Sequence, residues 1–170
     1  MALIFLCGMP GAGKSTVGKL LAEMRGSPFL DLDLEIERFA GKSIPAIFQS
    51  EGEAHFRRLE SLCLQDALSL SEGVIALGGG ALESERNLEL LKENGTLVFL
   101  QVDAESLAQR IAHETHRPLL EDARSEQDVK HKLDELLKRR ESNFREANYT
   151  IEATDKSPED IATEIHLLLK

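Results

Sequence analysis

Residues 8–16 read Gly8-Met9-Pro10-Gly11-Ala12-Gly13-Lys14-Ser15-Thr16, a complete match to the pattern G-x-x-x-x-G-K-[ST]. The apolar run Ala2–Cys7 precedes it, and Val17, Leu20, Leu21 and Met24 follow at i, i+3, i+4, i+7. A strand must therefore end, wrap tightly and open directly into a helix. Glycines at these positions let successive backbone N–H groups turn toward one point, where they suit phosphate oxygens. The helix beginning there adds the positive end of its dipole. Lys14 would bridge the β- and γ-phosphates, and the Ser15 hydroxyl would ligate Mg²⁺. Gly11, Ala12, Gly13, Lys14, Ser15 and Thr16 are accordingly the candidate nucleotide cradle.

The rest of the chain repeats the strand-then-helix rhythm. Strand-like runs are expected at Pro28–Leu32, Val74–Leu77, Thr96–Val102 and Tyr149–Ala153. Helices are expected at Leu34–Ala40, Glu53–Leu70, Ser84–Asn94 with Gly95 as its stop, and from Asp103 as N-cap to about Ala112. Two more follow, at Glu126–Ala147 and after Ser157-Pro158, where an N-cap precedes proline at the first helical position. Five strands alternating with helices in 170 residues predict one domain, a parallel sheet with helices on both faces. In such sheets ligands bind beyond the carboxyl ends of the strands.

Composition narrows the partners. The chain has 20 basic and 30 acidic residues, a net charge of −10, so it should repel nucleic acid and anionic membrane surfaces. No apolar run is long enough to span a bilayer, and no basic segment leads into a long apolar one as in a signal peptide. Cys7 and Cys63 sit in apolar surroundings and make neither a disulfide scaffold nor a zinc site, which fits a reduced cytoplasm. The five histidines have no metal-ligand spacing and are expected on the surface. Any anion site in this acidic chain must be made positive locally.

Two further strand ends carry unusual chemistry. Asp31 and Asp33 close the second strand, where alternation would put both on one side. Beside a nucleotide, Asp31 could serve Mg²⁺ through water and Asp33 a substrate hydroxyl; alternatively one of them caps the next helix, and Asp33 is the better placed. Gly78-Gly79-Gly80 follow the third strand. Three glycines in a row are entropically costly, which suits a ligand approaching the main chain better than a plain turn.

The basic residues are the remaining clues. Glu53, Arg57 and Glu60 share one helix face, which by itself reads as a surface ion-pair ladder worth little. Arg140 falls inside the apolar stripe of Leu133, Leu136, Leu137, Phe144 and Ala147, a costly place for a charge unless it snorkels outward or lines a site and holds an anion. Residues 113–124, with Arg117-Pro118, read as a loop long enough to be a lid, from which an arginine could close over phosphates.

Together, Gly8–Thr16, Leu30-Asp31-Leu32-Asp33, Phe56-Arg57-Arg58-Leu59-Glu60, Leu77-Gly78-Gly79-Gly80 and Arg117-Pro118-Leu119-Leu120 resemble shikimate kinase, in order and spacing, over nearly the whole chain. The resemblance implies a three-layer P-loop kinase fold, a five-stranded parallel sheet in order 2-3-1-4-5 with a mobile lid. It implies ATP-dependent phosphorylation of the shikimate 3-hydroxyl, in the route to chorismate and aromatic amino acids. Asp33 would bind the ring hydroxyls and orient the attacking proton, and Asp31 would help hold Mg²⁺. Arg57 and Arg140 would clamp the carboxylate, met by N–H groups of Gly79 and Gly80. Arg117 would be the lid arginine; Arg110 and Pro158 would flank adenine, with Lys156 in the same loop. The family's R-x-P-L-Y run is here Arg140-Glu141-Ser142-Asn143-Phe144, which leaves Arg139 as the alternative clamp. A monomer is the expected state at this size. Other small-molecule kinases, for gluconate or a nucleoside monophosphate, and a nucleotide-binding module without catalysis are the competing readings.

Overall fold

The computed structural model describes residues 2–112, 120, 123 and 125–170. Five parallel strands, β1 (Leu3–Cys7), β2 (Phe29–Asp31), β3 (Gly73–Ala76), β4 (Gly95–Gln101) and β5 (Tyr149–Glu152), form one sheet in the order β2-β3-β1-β4-β5. The central β1 is buried at every residue, so both faces are covered by helices, as alternation of elements demands. Among the described residues those helices are α1 (Lys14–Arg25), α2 (Leu32–Ala40), α3 (Ile44–Glu51), α4 (Glu53–Ala67), α5 (Glu85–Asn94), α6 (Ala104–Ile111), α7 (Glu126–Phe144) and α8 (Pro158–Leu168). None is long and apolar enough to cross a membrane.

Most of these helices begin where the chain supplies a side-chain acceptor, whereas α1 and α4 follow Gly13 and Gly52 without one. Asp103, Ser84, Ser125 and Ser157 cap α6, α5, α7 and α8 by accepting backbone N–H bonds, each contributing on the order of 1 kcal/mol. The helix α3 was not expected from periodicity, because two turns are too short to display it. Its start signal is nonetheless present, with Ser43 accepting from Ala46 N and a proline in the first turn. On α1 the buried face is Val17, Gly18, Leu21 and Ala22, and the expected Met24 is instead 42% exposed. Gly18 belongs to that face because a Cβ there would lie 2.5 Å from the Phe29 ring. Gly95 stops α5 but is extended and opens β4 rather than forming a left-handed cap.

Strand register decides where the site forms. Leu6 pairs with Ala76, and Asp31 pairs with the same Ala76. The chain therefore leaves β1 at Gly8, β2 at Asp31 and β3 at Leu77 along one edge of the sheet. The segments flagged at three strand ends are neighbours for this reason alone.

Candidate active site

Gly13 enters α1 with φ of 90°, a left-handed conformation that a side chain resists, and so turns the loop into the helix. The loop borders a cavity of about 540 Å³ lined by Gly11, Ala12, Gly13, Lys14, Ser15 and Thr16, with Asp31 and Asp33 on one side and Arg110, Lys156 and Pro158 on the other. All eleven were singled out from sequence. Lys14 Nζ donates to the carbonyls of Gly8 (2.8 Å) and Met9 (3.0 Å), so its ammonium lies across the mouth of the loop. Arg110 donates to Gly11 O and Thr154 O, both at 3.3 Å, tying α6 to the loop and to the turn before α8. Lys156 pairs with Glu164 at 2.5 Å.

The aspartates divide their work differently from the expectation. Asp31, not Asp33, is the N-cap of α2: its Oδ1 accepts from Asp33 N (3.0 Å) and Leu34 N (3.3 Å). The two are not on one side of an extended segment either, because β2 ends at Asp31 and Asp33 already lies in the first turn of α2. Asp31 Oδ2 remains and accepts from Ser15 Oγ. A hydroxyl and a carboxylate oxygen meeting beside the phosphate loop form a hard-oxygen set that fits Mg²⁺. Asp33 reaches the other way, and its Oδ1 lies against Gly78.

A second cluster gathers on the glycine triplet. A Cβ on Gly78 would lie 2.8 Å from Glu60 Oε2 and 2.9 Å from Asp33 Oδ1; on Gly79 it would meet Pro10 and come within 3.2 Å of Arg140 Nη1; on Gly80 it would lie 2.5 Å from Arg57 Nη2. None of the three has positive φ, so glycine is required here for space rather than for backbone freedom. The triplet brings the groups flagged as substrate contacts, Asp33, Arg57, Gly79, Gly80 and Arg140, to one place.

The Arg57 ladder is not the weak surface feature that α4 alone suggested. Glu60 is 1% exposed and accepts from Arg57 Nη1 at 2.9 Å, while Glu53 and Glu83 approach Nη2 at 3.4 and 3.5 Å. Phe56, 4.9 Å from Phe48 centroid to centroid, lies under the guanidinium at 5.2 Å. Burial works against the Arg57 cation, but its glutamates raise its pKa overall. Burial raises the Glu60 pKa, Asp33 adds to this and Arg57 opposes it.

Arg140 does not snorkel. It is 1% exposed, between Leu136 and Phe144 on α7, and Phe144 stacks on Phe99 of β4 at 4.5 Å to fix that end of the helix. Its Nη2 lies 3.4 Å from Glu83 Oε2, whereas Nε and Nη1 are buried with no hydrogen-bond partner. Burial presses its pKa down and Glu83 resists. Donors of this kind are expensive to leave unmet, and their chemistry suits an anion. Arg139 is 56% exposed and bonds Glu83 Oε1 at 2.6 Å, so the buried unmet donors belong to Arg140, not Arg139.

Glu83, in the short 3-10 turn Ala81–Glu83, was not anticipated. It is one acid among thirty, and only the fold shows that three arginines converge on it. Burial raises its pKa, but Arg140 and Arg139 outweigh that and hold it below the ordinary value. Arg117 and the expected lid at 113–124 lie outside the described residues, apart from 120 and 123. Of the histidines, His131 is exposed, His55 is half-buried, and so is His166, whose Nδ1 is buried, against the expectation of a surface position; His113 and His116 are not among the described residues.

The family described as shikimate kinase matches residues 10–170. The shikimate kinase of Chlorobium phaeobacteroides is 44% identical over 155 residues, 89% of this chain and 82% of that protein. That of Acinetobacter baumannii is 44% identical over 98% of this chain and 91% of the relative. Among solved structures, the A. baumannii shikimate kinase in complex with shikimate superposes with a TM-score of 0.93 at 42% identity, covering 99% of this chain and 93% of that one. The Aquifex aeolicus shikimate kinase gives 0.82 at 36% identity, covering 98% and 95%.

Proposed function

The chain belongs to the shikimate kinase family, whose members use ATP to phosphorylate shikimate, and we propose how its residues divide that work. One observation carries the proposal: Asp33 belongs to both halves of the site, lining the phosphate-loop cavity and lying against Gly78 among the arginines. An acid gripped by Arg57 and Arg140 would present a ring hydroxyl to Asp33, with the nucleotide's terminal phosphate beyond it.

Phosphoryl transfer asks little covalent chemistry of a protein, so positioning and charge stabilisation dominate. The N–H groups of residues 11–16 and the α1 dipole cradle the phosphates. Lys14 leaves the Gly8 and Met9 carbonyls to follow charge toward the γ-phosphate. Ser15 and Asp31 would hold Mg²⁺, which when bound would neutralise phosphate charge. Arg110 and Pro158 flank the adenine, with Lys156 beside them. Asp33 orients the 3-hydroxyl and accepts its proton. Arg140 Nε and Nη1, Arg57 and the Gly79 and Gly80 amides receive the carboxylate. Arg117, outside the described residues, supplies positive charge to the transferring group. The proposal extends to a single catalytic domain acting as a monomer in the cytoplasm, with no nucleic-acid or membrane partner, as the net charge of −10 favours.

The test is ADP release from ATP and Mg²⁺ with shikimate, gluconate or a nucleoside monophosphate. Release should require shikimate. Equal release with gluconate or a nucleotide would overturn the assignment of the arginine seat to a carboxylate on a hydroxylated ring.

A further inference from the structure

Glu83 has no part in the reaction just described, yet it holds the arginine seat together. One oxygen, Oε2, lies 3.4 Å from Arg140 Nη2 and 3.5 Å from Arg57 Nη2, so a single acceptor bridges guanidiniums from α7 and α4. The other, Oε1, accepts from Arg139 Nε at 2.6 Å. Without it the buried Arg140 would lose its ion-pair partner and face Arg57, which Glu60 and Glu53 would still hold. With it, the donors that remain unmet are Arg140 Nε and Nη1, and Nη1 points toward Gly79.

The charges point the same way. Glu83 is the acceptor that Arg57 and Arg140 share, while Glu60 and Asp33 meet at Gly78, and the outer members Glu53 and Arg139 are about half exposed and screened by water. Removing the Glu83 charge makes the seat more positive by one unit, which favours a phosphate or phosphonate dianion over a carboxylate. Arginine pairs suit either anion by geometry, so charge must make the distinction.

We propose that Glu83 is a positioning and specificity-determining residue: it sets the two arginines in place, and its charge favours a monocarboxylate in the seat over doubly charged acids. This rests on the reading of Arg57 and Arg140 as the acid seat.

The test compares shikimate with its analogue carrying a phosphonate in place of the carboxylate, at alkaline pH where the phosphonate is doubly ionised. In Glu83→Gln, shape is kept and one negative charge is lost. A monoanion gains one favourable charge interaction and a dianion gains two. Binding of the phosphonate relative to shikimate should improve at least about tenfold. Arg139→Gln removes a positive charge from the exposed side and should shift the ratio the opposite way, by about two- to threefold. Glu83→Asp keeps the charge and should keep the wild-type ratio even where both acids bind more weakly.

General damage to the seat would weaken both acids alike and leave the ratio in place. A ratio unchanged in Glu83→Gln, or moved in the same direction in Glu83→Gln and Arg139→Gln, overturns the role given to Glu83. Should Glu83→Gln not fold, the opposite shift in Arg139→Gln and the constant ratio in Glu83→Asp decide the matter. Arg140→Met separates the two readings. It should weaken both acids strongly, and if it weakens neither, the seat itself is misplaced and the proposal falls with it.

Discussion

Arg140→Met should separate binding from stability. In the ligand-free protein Arg140 is a buried cation with two donors unmet, and each unmet buried group costs about 1–3 kcal/mol. Methionine keeps an unbranched stem of similar reach in the stripe between Leu136 and Phe144. Its partner is not stranded, because Glu83 keeps Arg139 at 2.6 Å and Arg57 at 3.5 Å. Replacing a buried ion pair member under these conditions should leave the protein as stable as wild type, or up to about 3 kcal/mol more stable. Binding should move the other way. Losing a desolvated, charged contact to a carboxylate costs about 2–5 kcal/mol. At 1.4 kcal/mol per tenfold, that is about 30- to 4,000-fold in the shikimate KM. Urea unfolding without ligand measures the first quantity, and ADP-release kinetics at saturating ATP the second. A stability loss above about 2 kcal/mol, or a KM within about threefold of wild type, would refute the reasoning that the unmet donors are held for substrate.

Asp33→Asn should lower turnover by about 100-fold or more, with ATP affinity nearly unchanged, because it removes the proton acceptor but not the cradle; isothermal titration with ATP beside steady-state kinetics checks both halves. Asp31→Asn separates cap from metal: asparagine caps helices as well as aspartate, so the melting temperature should hold, while half-saturation by Mg²⁺ should rise about tenfold or more. Glu83 and Glu60 should give stability opposite pH dependences. The Glu83 pKa lies below its ordinary value of 4.5, so its contribution is present above that pH and lost as pH falls through the folded value. The Glu60 pKa is raised, so its contribution is present below the ordinary value and lost as pH rises through the folded one. Urea midpoints across this range should show Glu83→Gln flattening the acid limb and Glu60→Gln removing the loss on the other side; identical profiles for both variants would contradict the assignment.

The nucleotide half of the site was legible because its information is contiguous. Nine consecutive residues fix loop, helix start and ammonium, and an apolar run before them fixes the strand. Arg140 was legible for a related reason, since a charge in an apolar stripe is an anomaly visible along one helix. Which aspartate would cap α2 was not legible, and Asp33 looked the better placed, because both Asp31 and Asp33 satisfy the local pattern. Only the position of Asp31 at the end of β2, with its carboxylate turned to the α2 amides and to Ser15, chooses between them.

What the sequence by itself determined, then, is the order of strands and helices and the chemistry waiting at each strand end, since both depend on residues near one another along the chain. What the tertiary structure decided is which charges meet. Register put Gly8, Asp31 and Leu77 on one edge, and the packing of α7 brought Arg139 and Arg140 to a glutamate 56 and 57 residues earlier, where Arg57 also arrives. A side chain's charge is written in the sequence, but its neighbours across such distances are set only when buried surfaces lock the elements together.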